Sequence, residues 1–542
     1  MAITLVSLPA GELRRWLDNG DELAVLDVRE EGEFGGGHLL RSTNLPLSRL
    51  ENQLTRLLPR KGVPLVLVDD DNGLAEQAAE KLMAYGYRTL YRLTDGVAGW
   101  RQAGWQLVRG NYVFSKAFGE YVEHVLATPH ISAQRLQEKI SAGEDLVIID
   151  SRTFAEYQWI GIPGAVSCPG AELILRVKQR VTSPDTLVVV NCGGRTRSII
   201  GAQTLINAGL ANPVVSLQNG TQGWHLAGYR TVAGQQDRLD APDRAALRWA
   251  RQAARTMAQR SGVVTLDRAG LHRLEAESRA GTLYRFDVRS GEEYRQGHRR
   301  GFLSVEGGQL IQATNTFIAV HRARIVLADD DGVRAYTTAS WLRQMGFDQV
   351  FVLDAPLTPA DYWYGDSPEI VAGPQSQAAL LSPFELLSRQ EDEGVVVIDL
   401  ASSREYRQGH IPGAWFAIRS RLAQALTALP PAREYVLTSP DGLTARLALT
   451  ELAALVTAPV SLLAGGTRAW QAARLPLASG DEHLANPPVD VVLKAFEQPE
   501  RREEAMRAYL RWEQDLVAQI EREGSTRFRL LSPPVAARDR QE

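Results

Sequence analysis

The chain has 542 residues, and its 60 Lys and Arg against 64 Asp and Glu leave a formal net charge of −4. That balance, with no basic run longer than Arg299-Arg300 or Arg501-Arg502, argues against a nucleic-acid or polyanion binder. Two cysteines are too few for a disulfide framework, no stretch approaches the ~18–20 apolar residues of a membrane span, and Met1 to Trp16 lacks the features of a secretory signal, so the expected location is the cytoplasm, without membrane partners.

The length exceeds a single core and calls for three to five domains. In chain order, one pattern recurs four times. The first copy, expected over residues 1–108, opens with an apolar strand ending in Asp27-Val28-Arg29. An acidic-aromatic step follows at Glu33-Phe34, then a second strand, Leu65 to Asp69, and a glycine-tryptophan close, Asp95-Gly96-Val97-Ala98-Gly99-Trp100. Residues Arg109 to Pro129 carry Tyr112, Phe114, Phe118 and Tyr121, so this linker is expected to pack against the domains.

The second copy, expected over 125–232, repeats the order with Asp150-Ser151-Arg152, Glu156-Tyr157, the run Val188 to Ser198 and Asn219 to Trp224. Residues Thr231 to Ser261, rich in Arg and Ala, read as a helix. The third copy, 262–356, has Asp287-Val288-Arg289, Glu293-Tyr294 and Ile325 to Asp329. A linker with Tyr362-Trp363-Tyr364 leads to the fourth copy, 376–478, with Asp399-Leu400-Ala401, Glu405-Tyr406, Gly409-His410-Ile411-Pro412-Gly413-Ala414, Tyr435 to Ser439 and Gly465 to Trp470. From 479 to 542 the pattern predicts a helical segment with Met506, Tyr509, Leu516 and Ile520 on one stripe and Gly524 as its stop, then frayed residues from Pro533. Val- and Ile-rich strands alternating with helices predict an α/β fold: four tandem domains, each a small, mostly parallel sheet covered on both faces.

The chemistry concentrates in Asn191-Cys192-Gly193-Gly194-Arg195-Thr196-Arg197-Ser198. A strand delivers one cysteine to a loop with two glycines and two arginines, just before a predicted helix. At a helix N-terminus flanked by cations, a thiol is expected as its nucleophilic thiolate. Ligands of parallel sheets bind beyond the strands' carboxyl ends, where Cys192 falls. A cysteine phosphatase loop needs its arginine six residues after the cysteine; here Arg197 comes one residue sooner and Ser198 takes that place, so the shorter loop suits a single sulfur atom.

In their order these motifs resemble the rhodanese (thiosulfate sulfurtransferase) superfamily over nearly the whole chain. The resemblance implies four tandem rhodanese-like domains and a two-step reaction. The cysteine takes a sulfane sulfur from a donor such as thiosulfate, becoming a persulfide, and passes it to cyanide or a thiol. It makes Cys192 the catalytic residue, Gly193, Gly194, Arg195, Thr196 and Arg197 the substrate-binding loop, and Asp150 and Arg152 structural residues near the site. Arg195 and Arg197 are expected to orient the anionic donor. No cofactor and no metal is expected. The partners implied are a small anionic sulfur donor and a thiol or cyanide acceptor, with a sulfur-relay protein as a further partner; a persulfide carrier or regulatory scaffold is the alternative reading.

Asp69, Asp329 and Ser439 fall at or next to the cysteine position in the other copies, so three domains are expected to be catalytically silent. The triplets Asp69-Asp70-Asp71 and Asp329-Asp330-Asp331 read as helix-capping acids in preference to a metal site. Cys168 reads as a small buried hydrophobe rather than a resolving thiol. Trp100 and Trp224 are assigned to packing, His38, His298 and His410 to a structural hydrogen bond, and Glu172 with Arg176 to a salt pair at helical spacing.

Overall fold

The computed structural model describes residues 5–181, 183–356, 358–367, 371–372, 379–391 and 394–532. The expected start of the fourth domain at 376 and the frayed end from Pro533 lie outside the described residues. Each of the four repeats folds into a five-stranded parallel sheet. Numbered along the chain within a repeat, the strands stand in the order 1-5-4-2-3 in all four.

In the second repeat the strands are His130–Ile131, Leu146–Asp150, Val166–Ser167, Leu187–Asn191 and Val214–Leu217. Their β-branched runs fill both faces: Ile149, Val188 and Val190 join one core, while Ile148 and Val189 face another. Burial on both sides is what a parallel sheet requires, and it explains why the central strands carry no polar alternation. Strands 2 and 4 are neighbours from which the chain departs in opposite directions, so their carboxyl ends border the crevice of the fold.

The strand register fixes the correspondence between repeats. Asp150 pairs with Asn191, Asp27 with Val68, Asp287 with Ala328 and Asp399 with Thr438. The next residues, Cys192, Asp69, Asp329 and Ser439, therefore occupy one equivalent position.

The recurring histidines and tryptophans have structural work. The Nδ1 of His38, His298 and His410 lies 2.9, 2.9 and 2.7 Å from the carbonyl oxygen four residues earlier. Each ring stacks on the preceding aromatic, Phe34, Tyr294 or Tyr406, at 3.6–3.7 Å between centroids. Trp100 and Trp224 each donate their indole N–H to the carbonyl six residues on, pinning the chain as it leaves the domain.

Two helical expectations need correction. Thr231 to Ser261 is helical only over Arg244–Arg260; Asp243 caps that helix by accepting from the Ala246 N–H, and the preceding residues are non-helical, with Val232 bridged to Gly161 and Arg238 to Ser167. Pro242 and the Asp243 cap set the start. Likewise the segment after Ala478 is not helical at once. It runs past Pro487 and Pro488 with Leu484 bridged to Phe416, and α-helix begins at Arg502. Two helices, Arg502–Gln514 and Leu516–Glu523, then end on Gly524, whose φ of 73° is the left-handed cap anticipated there.

The first linker packs, as its aromatics require. Val113–Leu126 is a helix with Phe118 fully buried, and one continuous apolar core runs through the first three repeats and this helix. The buried apolar residues of the fourth repeat form separate clusters. Among its ties to the first repeat is a buried pair in which Arg419 donates to Glu51 at 2.6 and 3.0 Å. No helix among the described residues is long and apolar enough to cross a membrane.

Candidate active site

Cys192 follows strand Leu187–Asn191 directly and stands four residues before the helix Thr196–Asn207. It is 2 % exposed. Its Sγ lies 3.5 Å from the Ser198 hydroxyl, which donates to the Arg195 carbonyl at 2.7 Å. Beneath the loop, the glycine-tryptophan motif shows its purpose. Asn219 and Gly220 both take positive φ, and a Cβ on Gly220 would meet the Cys192 carbonyl oxygen at 2.4 Å. Only glycine brings the backbone that close. The Thr221 N–H then donates to the same carbonyl at 2.8 Å, fixing the strand end that carries the thiol.

The cysteine-free copies show what this loop holds. In the first repeat the Asp69 carboxylate accepts from the Asp71 and Ala75 N–H groups, each at 3.0 Å. In the third, Asp329 accepts from Gly332, Val333 and Ala335 at 2.9–3.1 Å. In the fourth, the Ser439 hydroxyl accepts from the Ala445 N–H at 3.3 Å. The position equivalent to Cys192 is thus the focus of a nest of backbone amides at a helix mouth, and in two copies it is filled by a carboxylate. The acids cap their own helices, as the sequence reading had it.

Asp150 and Arg152 form a buried bidentate pair, with Nε to Oδ1 at 2.9 Å and Nη2 to Oδ2 at 2.7 Å. Asp27–Arg29 and Asp287–Arg289 repeat it in cysteine-free copies, which marks it as architecture. Cys168 is fully buried in the apolar core; burial pushes its thiol well above the ordinary range. Glu172 and Arg176 pair as expected, and Arg334 of the third repeat also comes within 3.6 Å of Glu172.

Both loop arginines are bonded within the protein. Arg195 Nε and Nη2 donate to the two Glu120 oxygens, each at 2.8 Å, with further bonds to Glu123 and to Asn219. Both glutamates lie on the linker helix. Burial lifts the Glu120 carboxyl to about 7 even with Arg195 pulling the other way. Arg197 is held bidentate by Glu156 at 2.6 and 3.0 Å. Arg334 and Glu293 reproduce that pair at 2.6 and 3.0 Å in a copy without a cysteine. The Arg197 pair is therefore loop architecture; Glu156 and, after it, Cys192 are among the groups that favour its charged form against burial. Both guanidinium groups are in use because the neighbouring carboxylates reach them from distant segments.

Neither Gly193 nor Gly194 takes a positive φ. Gly194 is needed for close approach: a Cβ there would meet Glu513 Oε2 at 2.8 Å and Tyr509 Cε1 at 3.0 Å. These residues belong to helix Arg502–Gln514, which roofs the site. Thr196 donates to Glu513 at 3.4 Å, Tyr509 to Glu513 at 2.7 Å, and the buried Lys116 bonds both Tyr509 and, at 3.2 Å, Glu513. Burial and the Glu513 carboxylate push the Tyr509 phenol well above its ordinary range, with a further push from Cys192. Gly119 of the linker helix lets this layer close, since a Cβ there would sit 2.7 Å from Thr196 Cγ2. Sequence reasoning missed Lys116, Glu120, Tyr509 and Glu513 as site residues. Lys116 and Glu120 share one face of the linker helix by their i, i+4 spacing, a signal that gives a face but no destination.

The model of the rhodanese-like domain matches the chain four times, over residues 9–103, 132–227, 271–356 and 382–473. The chain belongs to the rhodanese-like family. A solved structure, the thiosulfate sulfurtransferase of Pseudomonas aeruginosa, superposes with a TM-score of 0.93 at 45% identity, covering 97% of this chain and all of the other. All four rhodanese-like domains and the C-terminal helical segment thus have counterparts within one known architecture. Shorter relatives align with one domain's length. YibN of Escherichia coli K12, an uncharacterised protein, is 34% identical over 101 residues, which is 18% of this chain and 70% of YibN. YqhL of Bacillus subtilis, also uncharacterised, is 34% identical over 76 residues, 14% of this chain and 59% of YqhL.

Proposed function

We propose that this protein is a sulfurtransferase in which Cys192 alone carries the sulfur, taken from thiosulfate or a similar anionic donor and passed to cyanide or a thiol. The observation that carries the reading is the amide nest. The position where Asp69 and Asp329 place a carboxylate on backbone N–H groups holds a thiol in the second domain. The Cys192 thiolate attacks the outer sulfur of the donor, the S–S bond breaks and sulfite leaves with the bonding pair. The persulfide's terminal sulfur then goes to the acceptor and the thiolate returns. Loop amides and the helix dipole stabilise the anionic sulfur, with Lys116 and Arg197 supplying fixed positive charge close by. A cysteine-free nest of the same build cannot form a persulfide, so the other three domains act as scaffold. Two free thiols and balanced charge suit a reducing compartment, the cytoplasm.

The test is thiocyanate formation from thiosulfate and cyanide by the full chain, with Cys192→Ser beside it. Turnover that Cys192→Ser abolishes, together with one added sulfur on Cys192 by mass spectrometry after thiosulfate alone, is the expected result. A Cys192→Ser variant that keeps its turnover overturns the assignment. A persulfide acquired only from a protein desulfurase, without thiosulfate turnover, replaces the enzyme reading with the carrier one.

A further inference from the structure

The fourth domain has lost an arginine but kept the place in which it sat. In the first three domains the strand-end aspartate grips the guanidinium two residues on, and Nη2 of that arginine also donates to the carbonyl of Gly37, Ile160 or Gly297. The fourth domain has Ala401 at this point. Its aspartate keeps its pose: the Ala401 N–H donates to Asp399 Oδ1 at 2.9 Å, against 3.1–3.2 Å for the three arginine N–H groups. The turn that carries the accepting carbonyl is also in place, since His410 stacks on Tyr406 as its counterparts do.

Among the described residues nothing replaces the guanidinium. Asp399 is 1 % exposed, and its Oδ2, the atom that takes Nη2 in the sister domains, has no partner among them. A cavity of about 290 Å³ opens there, lined among others by Asp399, Ala401, Glu405, Gly409 and Thr467. Arg468 stands at its rim, its side chain largely exposed and 3.8 Å from Asp441. A buried carboxyl oxygen without a partner is costly, and burial with Glu405 nearby lifts this group to about 6.

We propose that this cavity is a binding site for an alkylguanidinium group, with Asp399 as its anchor. Three copies of the same frame, each closed on a guanidinium, define the chemistry it accepts. A planar fork meets the carboxylate through two parallel N–H groups and turns a third donor to the Gly409 carbonyl. An ammonium, a compact point charge, cannot match both at once. The ligand's alkyl substituent would leave along the line of the missing side chain, from the space next to the Ala401 Cβ. The group is supplied by a small guanidine compound or by an arginine side chain. The site is separate from the sulfur chemistry of Cys192 and does not depend on it.

The experiment is isothermal titration of the full chain with methylguanidinium, agmatine and N-acetyl-arginine amide, with methylammonium at equal ionic strength as control. One saturable site per chain for methylguanidinium is expected, with methylammonium at least about tenfold weaker. Agmatine binding as tightly, with the blocked arginine amide weak, identifies a small-molecule source; the reverse identifies a protein side chain. Asp399→Asn should weaken binding about tenfold or more. Ala401→Arg should refill the cavity and abolish binding while thiosulfate turnover stays unchanged, so a binding defect cannot be laid to misfolding. No saturation by any of the guanidines up to about 50 mM, or equal binding in Ala401→Arg, overturns the proposal.

Discussion

Replacing Arg195 by alanine removes the guanidinium that ties the cysteine loop to the linker helix. The loss comprises two 2.8 Å bonds to Glu120, the bond to Glu123 and the 3.2 Å bond to Asn219. What remains is a buried carboxyl beside Glu123 and Glu513 with no cation bonded to it. Breaking one side of a buried pair costs about 3–5 kcal/mol; Glu123 has one-fifth of its side chain exposed, so the lower end applies. The cost depends on pH. Glu120 stands at about 7 with Arg195 present, and without it the carboxyl moves higher. A carboxyl raised in the folded state keeps a proton that the open state has given up. Its stabilising contribution is therefore full below the ordinary carboxylate range and is lost as pH rises through the folded value. With about 1.4 kcal/mol per pH unit for one proton, the variant should lose about 1 kcal/mol more than the parent between pH 6 and 8. Hydrogen exchange in peptides covering 113–126 and 192–207, corrected for intrinsic rates, reads this local opening at both pH values. A loss below about 1 kcal/mol at pH 8, or one equal at the two pH values, would refute the account of Arg195 as the clasp.

Two further perturbations bear on the packing. Gly220→Ala puts a Cβ at 2.4 Å from the Cys192 carbonyl oxygen, whereas Gly466→Ala puts one at 2.0 Å from the Ser439 carbonyl oxygen. Each strain costs about 1–3 kcal/mol, yet only Gly220→Ala should lower thiosulfate turnover, and equal turnover in the two variants would contradict the assignment of the fourth domain as silent. Acid should loosen the contact between the first and fourth domains. Burial works against the charged form of Glu51, but Arg419 and then Lys81 outweigh it and draw the carboxyl down to about 2. Its stabilising contribution is present above the ordinary carboxylate value and drains away as pH falls from about 4.5 toward 2, about 3 kcal/mol in all. Small-angle scattering should show expansion over that window, and Glu51→Gln should show it already near neutrality.

The parts of this protein written in short segments were readable in advance. The Val/Ile strands recur four times, and the Asp-x-Arg ends and the histidine turns three times each, because each is set by residues within about ten positions of one another. Even the acid-for-cysteine exchange at Asp69 and Asp329 could be read by aligning copies. What escaped were destinations. Nothing near Arg195 in the sequence says that its charge is answered by Glu120, 75 residues earlier. Arg197 and Arg195 look alike as loop cations, and only the third domain's Arg334–Glu293 pair shows that one of them is repeated architecture. Ala401 stands where the other three copies carry arginine, which the sequence alone displays, but the cavity behind it depends on neighbours holding still once the side chain is gone.

The roof helix has a bearing on how the protein is born. Thr196 and Glu513, which meet over the thiol, are 317 residues apart in the chain. At about 5–20 residues per second, synthesis takes roughly 15–60 s to deliver the second after the first. During that interval the second domain can close its sheet and form its amide nest, while the thiol waits without its cover. A helix made after all four domains completes a pocket begun by the second, so a chain truncated before Arg502 should emerge with Cys192 open to whatever oxidant or alkylating agent the cell contains.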